Sequence, residues 1–257
     1  MENVMRTKAL TNIVDRPSPN QSERNGQSVQ FIVLHYTAMK TAEAAIERLC
    51  DPASQVSSHY VVDEAGVIYR LVPEDKKAWH AGVSHWDGKT DLNVSSVGIE
   101  IANPGNVDFP RAQMDAVLAL SLDIARRHKV RPFYVVGHSD IAPDRKQDPG
   151  ELFDWQYLAA NKLGVWPSPT AQDYKTSASW GDSQVSGALV RLGFRPGVDL
   201  TILLKAFQRH FQPEAFTSGQ AGIADVETRA RLACLVRRKA IGDGVRASVA
   251  RKRSARV

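Results

Sequence analysis

Apolar and β-branched residues run almost unbroken through VQFIVLHY (29–36), the pattern of a strand buried on both faces. SSVGIEIA (95–102) is a second such run, stopped by Asn103-Pro104-Gly105, and FYVVGH (133–138) a third. HYVVDEAGVIYRLV (59–72) predicts a hairpin turning around Glu64-Ala65-Gly66. Helical spacing appears in Thr41–Cys50, which closes before Asp51-Pro52, and in Arg111–Lys129. In the longer of the two, Met114, Val117, Leu118, Ile124 and Ala125 share one face. Strands and helices mixed in this way predict an α/β catalytic-sized domain over 28–166, preceded by an irregular polar arm at 1–27.

Beyond Trp166 the pattern changes. Residues 167–181 are rich in Pro, Ser and Thr and read as a linker. Over 182–236 only helical stripes remain: Val185, Leu189 and Leu192 closed by Gly193; Leu203, Phe207 and Phe211; then Leu232 and Leu235 behind a cap at Asp225. These predict a small three-helix domain, near the lower size limit for independent folding.

The net charge of +5 would suggest an anionic partner, but its location weakens that reading. Residues 237–257 hold eight Lys/Arg against one Asp, a local +7, which leaves about −2 for the rest. A tail of that kind is expected to be solvated, and it implies no specific nucleic acid. With 43% hydrophobic and 24% charged residues the composition is that of a globular protein, and no run approaches the ~20 apolar residues of a transmembrane segment. No secretory signal pattern opens the chain, so a cytoplasmic location is expected, with the periplasm or envelope as the alternative after export. Cys50 and Cys234 are too few for a disulfide framework or a thiolate metal site.

The chemistry gathers at the strand ends. His35 closes the first buried strand and His138 the third; Asp148 follows His138 across GHSDIAPDRKQDPG (137–150), a charged stretch that its prolines bar from forming a regular helix. Two imidazoles and a carboxylate suit a catalytic zinc, leaving a fourth position for water. Glu100 interrupts the apolar strand VGIEI, on the face shared by Gly98 and Ala102, where it is either solvated or poised over a pocket as a base. Taken singly, each of these residues fits a structural role as well.

Five ordered segments make the set recognisable: IVLHYTA (32–38), VSSHYVVDEAG (56–66), AWHAG (78–82), VGIEIANPG (97–105) and GHSDIAPDRKQDPG (137–150). The chain resembles the zinc-dependent N-acetylmuramoyl-L-alanine amidases of the type-2 family, most closely the AmiD type. ALVRLGFRP (188–196) and residues 206–235 resemble the peptidoglycan-binding module that often follows that domain. The resemblance implies a mixed central sheet flanked by helices, and one Zn2+ per catalytic domain on His35, His138 and Asp148. It further implies Glu100 as base and Lys146 as the electrostatic partner of the oxyanion. His80, Trp79, Asn103 and His59 are implied at or near the substrate, and peptidoglycan or muropeptides are the implied partner. No oligomeric state is implied. Asp140, Asp144 and Arg145 are expected to brace the loop or stay in water, outside the metal site, and His210 to be a surface or helix-packing residue. A non-catalytic peptidoglycan recognition protein is the alternative.

Overall fold

A computed structural model describes residues 13–254, with side chains through residue 244. Six strands form the central sheet: β1 (Ile13–Asp15), β3 (Phe31–Tyr36), β4 (Tyr60–Val62), β5 (Ile68–Arg70), β9 (Ser96–Ile101) and β10 (Val135–Gly137). Their order is β1-β5-β4-β9-β3-β10, parallel throughout except for the β4–β5 hairpin. Two small ribbons lie outside it, β2 (Gln21–Glu23) with β6 (Lys76–Ala78), and β7 (His85–Trp86) with β8 (Lys89–Thr90). The helices are α1 (Ala42–Cys50), α2 (Arg111–His128), α3 (His138–Ile141), α4 (Trp155–Ala160), α5 (Ala171–Ser177), α6 (Asp182–Leu192), α7 (Leu200–Phe211), α8 (Glu214–Thr217) and α9 (Val226–Ser254). The fold is α/β, with a mixed sheet flanked by helices, as its pattern predicts. Among the described residues no helix is long and apolar enough to cross a membrane.

Alternation along the central strands divides the core in two. Ile32 and Leu34 of β3, with Val97, Ile99 and Ile101 of β9, pack against Met114, Val117 and Ile124 of α2. Phe31 and Val33 point the other way and share a core with Val136, Trp86 and the C-terminal helices, whose contributions include Val185, Leu189 and Phe207. The helical part therefore supplies the sheet's second covering layer. Trp86 meets Phe194 edge-on at 4.9 Å between centroids, and it also closes on Gly193, where a Cβ would stand 2.6 Å from the indole.

Three expectations need correcting. The 1–27 arm is not irregular where it is described: β1 and β2 both pair with strands, and buried Arg24 donates to the carbonyls of Glu74, Val94 and Ser96 at 2.7–2.9 Å. The 167–181 linker contains α5, closed at its start by a capping box between Thr170 and Asp173. Asp173 in turn holds Arg237 of α9 through two 2.8 Å contacts. The basic tail begins inside the fold: Arg238 donates to the Trp166 carbonyl, and buried Lys239 to Asp87 and the Arg191 carbonyl. Side chains from residue 245 onward lie outside the described residues.

Candidate active site

Strand pairing brings the first two groups together. β3 and β9 run parallel in a register that sets His35 beside Glu100, both on the face of Phe31, Val33 and Gly98. β10 delivers His138 into the single turn of α3, so the charged stretch holds one short helical turn after all. Ser139 N–H then donates to the Asp148 carbonyl at 2.9 Å, folding the loop back and bringing Asp148 beside His138. Gly137 has to be small there. A Cβ would meet Pro149 at 2.8 Å and Trp155 at 3.3 Å.

The three side chains converge closely. His35 Nδ1 lies 3.0 Å from His138 Nδ1 and 2.9 Å from Asp148 Oδ2, and His138 Nδ1 lies 3.0 Å from the same oxygen. The proton positions follow from the surrounding bonds. Ser96 gives its hydroxyl proton to the Leu92 carbonyl (2.6 Å), so it accepts from His80 Nε2–H (3.1 Å). His80 Nδ1 is then an acceptor, and the group donating to it at 3.0 Å is His35 Nε2–H. His138 Nε2–H likewise donates to the Ala81 carbonyl at 3.2 Å. In the neutral rings both Nδ1 atoms are left as bare lone pairs aimed at a carboxylate oxygen. Burial above all lowers the His35 pKa to about 4, which keeps that ring neutral. Three converging lone pairs with no proton among them are what a divalent cation offsets. The ligand set and spacing fit zinc, which takes imidazole and carboxylate at ~2.0–2.2 Å.

Glu100 stands at the edge of this cluster with one carboxylate oxygen, Oε2, buried and unpartnered. Burial, and then the nearby Asp148 charge, push its pKa well above the carboxylate range, with Lys146 opposing the shift. Glu100, Lys146, Trp79 and the three converging residues line one open cleft of about 610 Å³. Two imidazoles and a carboxylate that could hold a metal ion, an acid with a raised pKa and a lysine share one cleft, a combination suited to hydrolysis.

Comparison with known proteins agrees with this chemistry. The family described as N-acetylmuramoyl-L-alanine amidase matches residues 25–151, which contain all five groups. AmiD of Escherichia coli (strain K12) is 37% identical over 228 residues, covering 79% of this chain and 80% of that protein. This chain belongs to the N-acetylmuramoyl-L-alanine amidase family. The solved complex of the E. coli AmiD with anhydro-N-acetylmuramic acid-L-Ala-D-γ-Glu-L-Lys superposes with a TM-score of 0.72 at 36% identity, over 84% of this chain and 90% of that one. AMPDH3 from Pseudomonas aeruginosa, in complex with an anhydromuramic pentapeptide, gives a TM-score of 0.74 at 33% identity, over 85% and 93%.

Within this amidase the other expected substrate contacts divide. Trp79 borders the cleft, its indole N–H fixed on Ser22 Oγ at 3.0 Å. His80 also reaches the cleft wall, with both of its ring nitrogens engaged by His35 and Ser96. His59 is fully buried away from the cleft, its Nδ1 accepting from Gly98 N–H and its Nε2 lying 2.8 Å from the Arg24 guanidinium and 3.1 Å from the Lys76 carbonyl oxygen. Asn103 spends its amide on shaping its own loop, donating to the Val107 carbonyl and accepting from Gly105 N–H. Ser96 and Gly98 escape a reading of the sequence, although the small residue two places before Glu100 was the available signal. Asp144 and Arg145 brace the loop, on Arg195 and on the carbonyls of Ala81 and Val83.

Proposed function

We propose that this amidase holds one zinc ion on His35, His138 and Asp148 and hydrolyses the amide bond joining muramic acid, in its 1,6-anhydro form, to the L-alanine of a peptidoglycan stem peptide. The observation that carries the reading is the meeting of two imidazole Nδ1 atoms and one carboxylate oxygen at 2.9–3.0 Å, beside a carboxyl with an unpartnered oxygen. Zinc bound there supplies Lewis acidity and brings the pKa of water to ~7.

The chain's own groups do the rest. Glu100, held partly out of solvent, takes a proton from the attacking water and returns it to the departing alanine nitrogen. Its raised pKa suits the second of these duties, since a carboxyl that ionises readily at neutral pH delivers protons poorly. The Lys146 ammonium meets the negative charge growing on the carbonyl oxygen. Trp79 offers an apolar face to the sugar. The preference for the anhydro sugar draws on the ligands of AmiD and AMPDH3. Mass spectrometry of products from matched anhydro and reduced muropeptides tests it; equal rates on both would remove the preference. The likeness of residues 188–196 and 206–235 to a peptidoglycan-binding module adds intact wall polymer as a partner.

A further inference from the structure

The metal-binding loop carries more charge than its chemistry needs, and the C-terminal helices account for the excess. Asp140, two residues after His138, is fully buried; its Oδ2 accepts from Gly137 N–H at 2.7 Å and from His210 Nδ1 of α7, also at 2.7 Å. The His210 ring is itself 3% exposed and lies stacked on Trp155 at 3.7 Å. Trp155 is the residue that, with Pro149, presses on Gly137. One imidazole of the C-terminal part thus touches the turn holding His138 twice, by a hydrogen bond through Asp140 and by stacking through Trp155. Nearby, Arg195 pairs with Asp144 at 2.6 Å and Arg209 with Glu151 at 3.4 Å. Three carboxylates flanking the ligands are each met by a basic residue from 182–236.

We propose that His210 is a positioning residue for the metal site: by holding Asp140 it fixes the His138 turn, so that the C-terminal helices are part of the catalytic architecture and not only a wall-binding appendage. The physical reason is the buried setting. Asp140 Oδ1 is already buried without a partner, so without His210 the carboxylate would keep only the Gly137 N–H bond that caps α3 in a dry site, a cost that a shift of the turn would relieve. A ligand whose outer support is lost typically binds metal 10–100-fold less tightly.

The proposal rests on the zinc reading, and the experiment separates the two. Zinc affinity of the full chain is measured by competition with a chromophoric chelator, alongside thermal melting and steady-state kinetics, for wild type, His210→Phe, His210→Gln and His210→Asn. His210→Phe keeps the aromatic stack and loses the donor; it is expected to fold, to bind zinc at least about tenfold more weakly, and to lose kcat with little change in KM. His210→Asn, which carries an N–H near the position of Nδ1, is expected to recover most of the affinity, and His210→Gln to recover less. Wild-type zinc affinity in a folded His210→Phe would overturn the proposal. So would unfolding of both His210→Phe and His210→Gln, because the residue would then serve the fold at large. Failure of the wild type to bind zinc would instead overturn the metal reading.

Discussion

Gly98 lies directly beneath the His80 imidazole, where a Cβ would stand 2.5 Å from the ring. The glycine is therefore what lets His80 reach across β9 to the Nε2–H of His35 while Ser96 holds its far side. Gly98→Ala is expected to displace the ring, weaken zinc binding about 10–100-fold and cost about 1–3 kcal/mol of stability. Chelator competition and urea melts check both numbers. Unchanged zinc affinity would show that His80 does not orient His35.

Glu100→Gln should separate metal binding from turnover. The amide keeps the shape of the side chain but cannot accept the water's proton, so kcat is expected to fall by about 10²–10⁴ with zinc content intact. Lys146→Ala is expected to lose about 10²–10³ in kcat with a smaller change in KM, because its charge matters most when the oxyanion forms. Metal analysis with steady-state kinetics on a muropeptide decides each case; a near-normal rate in either variant removes that residue from its role.

Acid should weaken the fold in two stages. Burial, with the Arg24 guanidinium alongside, lowers His59 to about 3. Its folded pKa is below the ordinary value of about 6.5, so the stability it contributes is present above that pH and drains away as pH falls toward 3. Glu74 follows at lower pH: against the upward push of burial, hydrogen bonds from Arg127, His128 and Tyr60 hold it down to about 2. Its contribution persists above about 4.5 and is lost between there and 2. Urea midpoints from pH 7.5 to 4 are expected to decline, and His59→Gln to flatten the upper part of the slope. A wild-type profile flat from pH 7 to 4.5 would contradict the assignment.

The C-terminal helices should prove inseparable from the sheet. A chain ending at residue 181 exposes Phe31, Val33, Val136 and Trp86, and is expected to aggregate or melt far below the full chain. Phe207→Ala, at the centre of that shared core, is expected to cost about 3–5 kcal/mol. A truncated chain with native-like melting and zinc affinity would contradict the shared-core account.

Much of this was legible in the sequence, for identifiable reasons. β3, β9, α2 and the three long C-terminal helices follow from local periodicity, and the strand-end histidines from where the apolar runs stop. Neither the His35–Glu100 register nor the His80 link is local, since each depends on which strands pair and which loop crosses them. The docking of the C-terminal helices was hidden for a related reason: an apolar stripe looks the same whether it packs on a sister helix or on a sheet. One clue was available. A strand buried on both faces needs two covers, and residues 28–166 offered only one long helix. His210 read as a surface or packing residue because nothing near it in sequence shows that Asp140 waits seventy residues away.

The most direct measurement is hydrolysis of an anhydro-muropeptide, followed by mass spectrometry, with the protein's metal content recorded before and after exhaustive chelation. The account predicts one zinc per chain, release of free stem peptide, loss of that activity on chelation and its return with added zinc, with His138→Ala unable to bind zinc or to be revived. Full cleavage by protein stripped of all metal would contradict it.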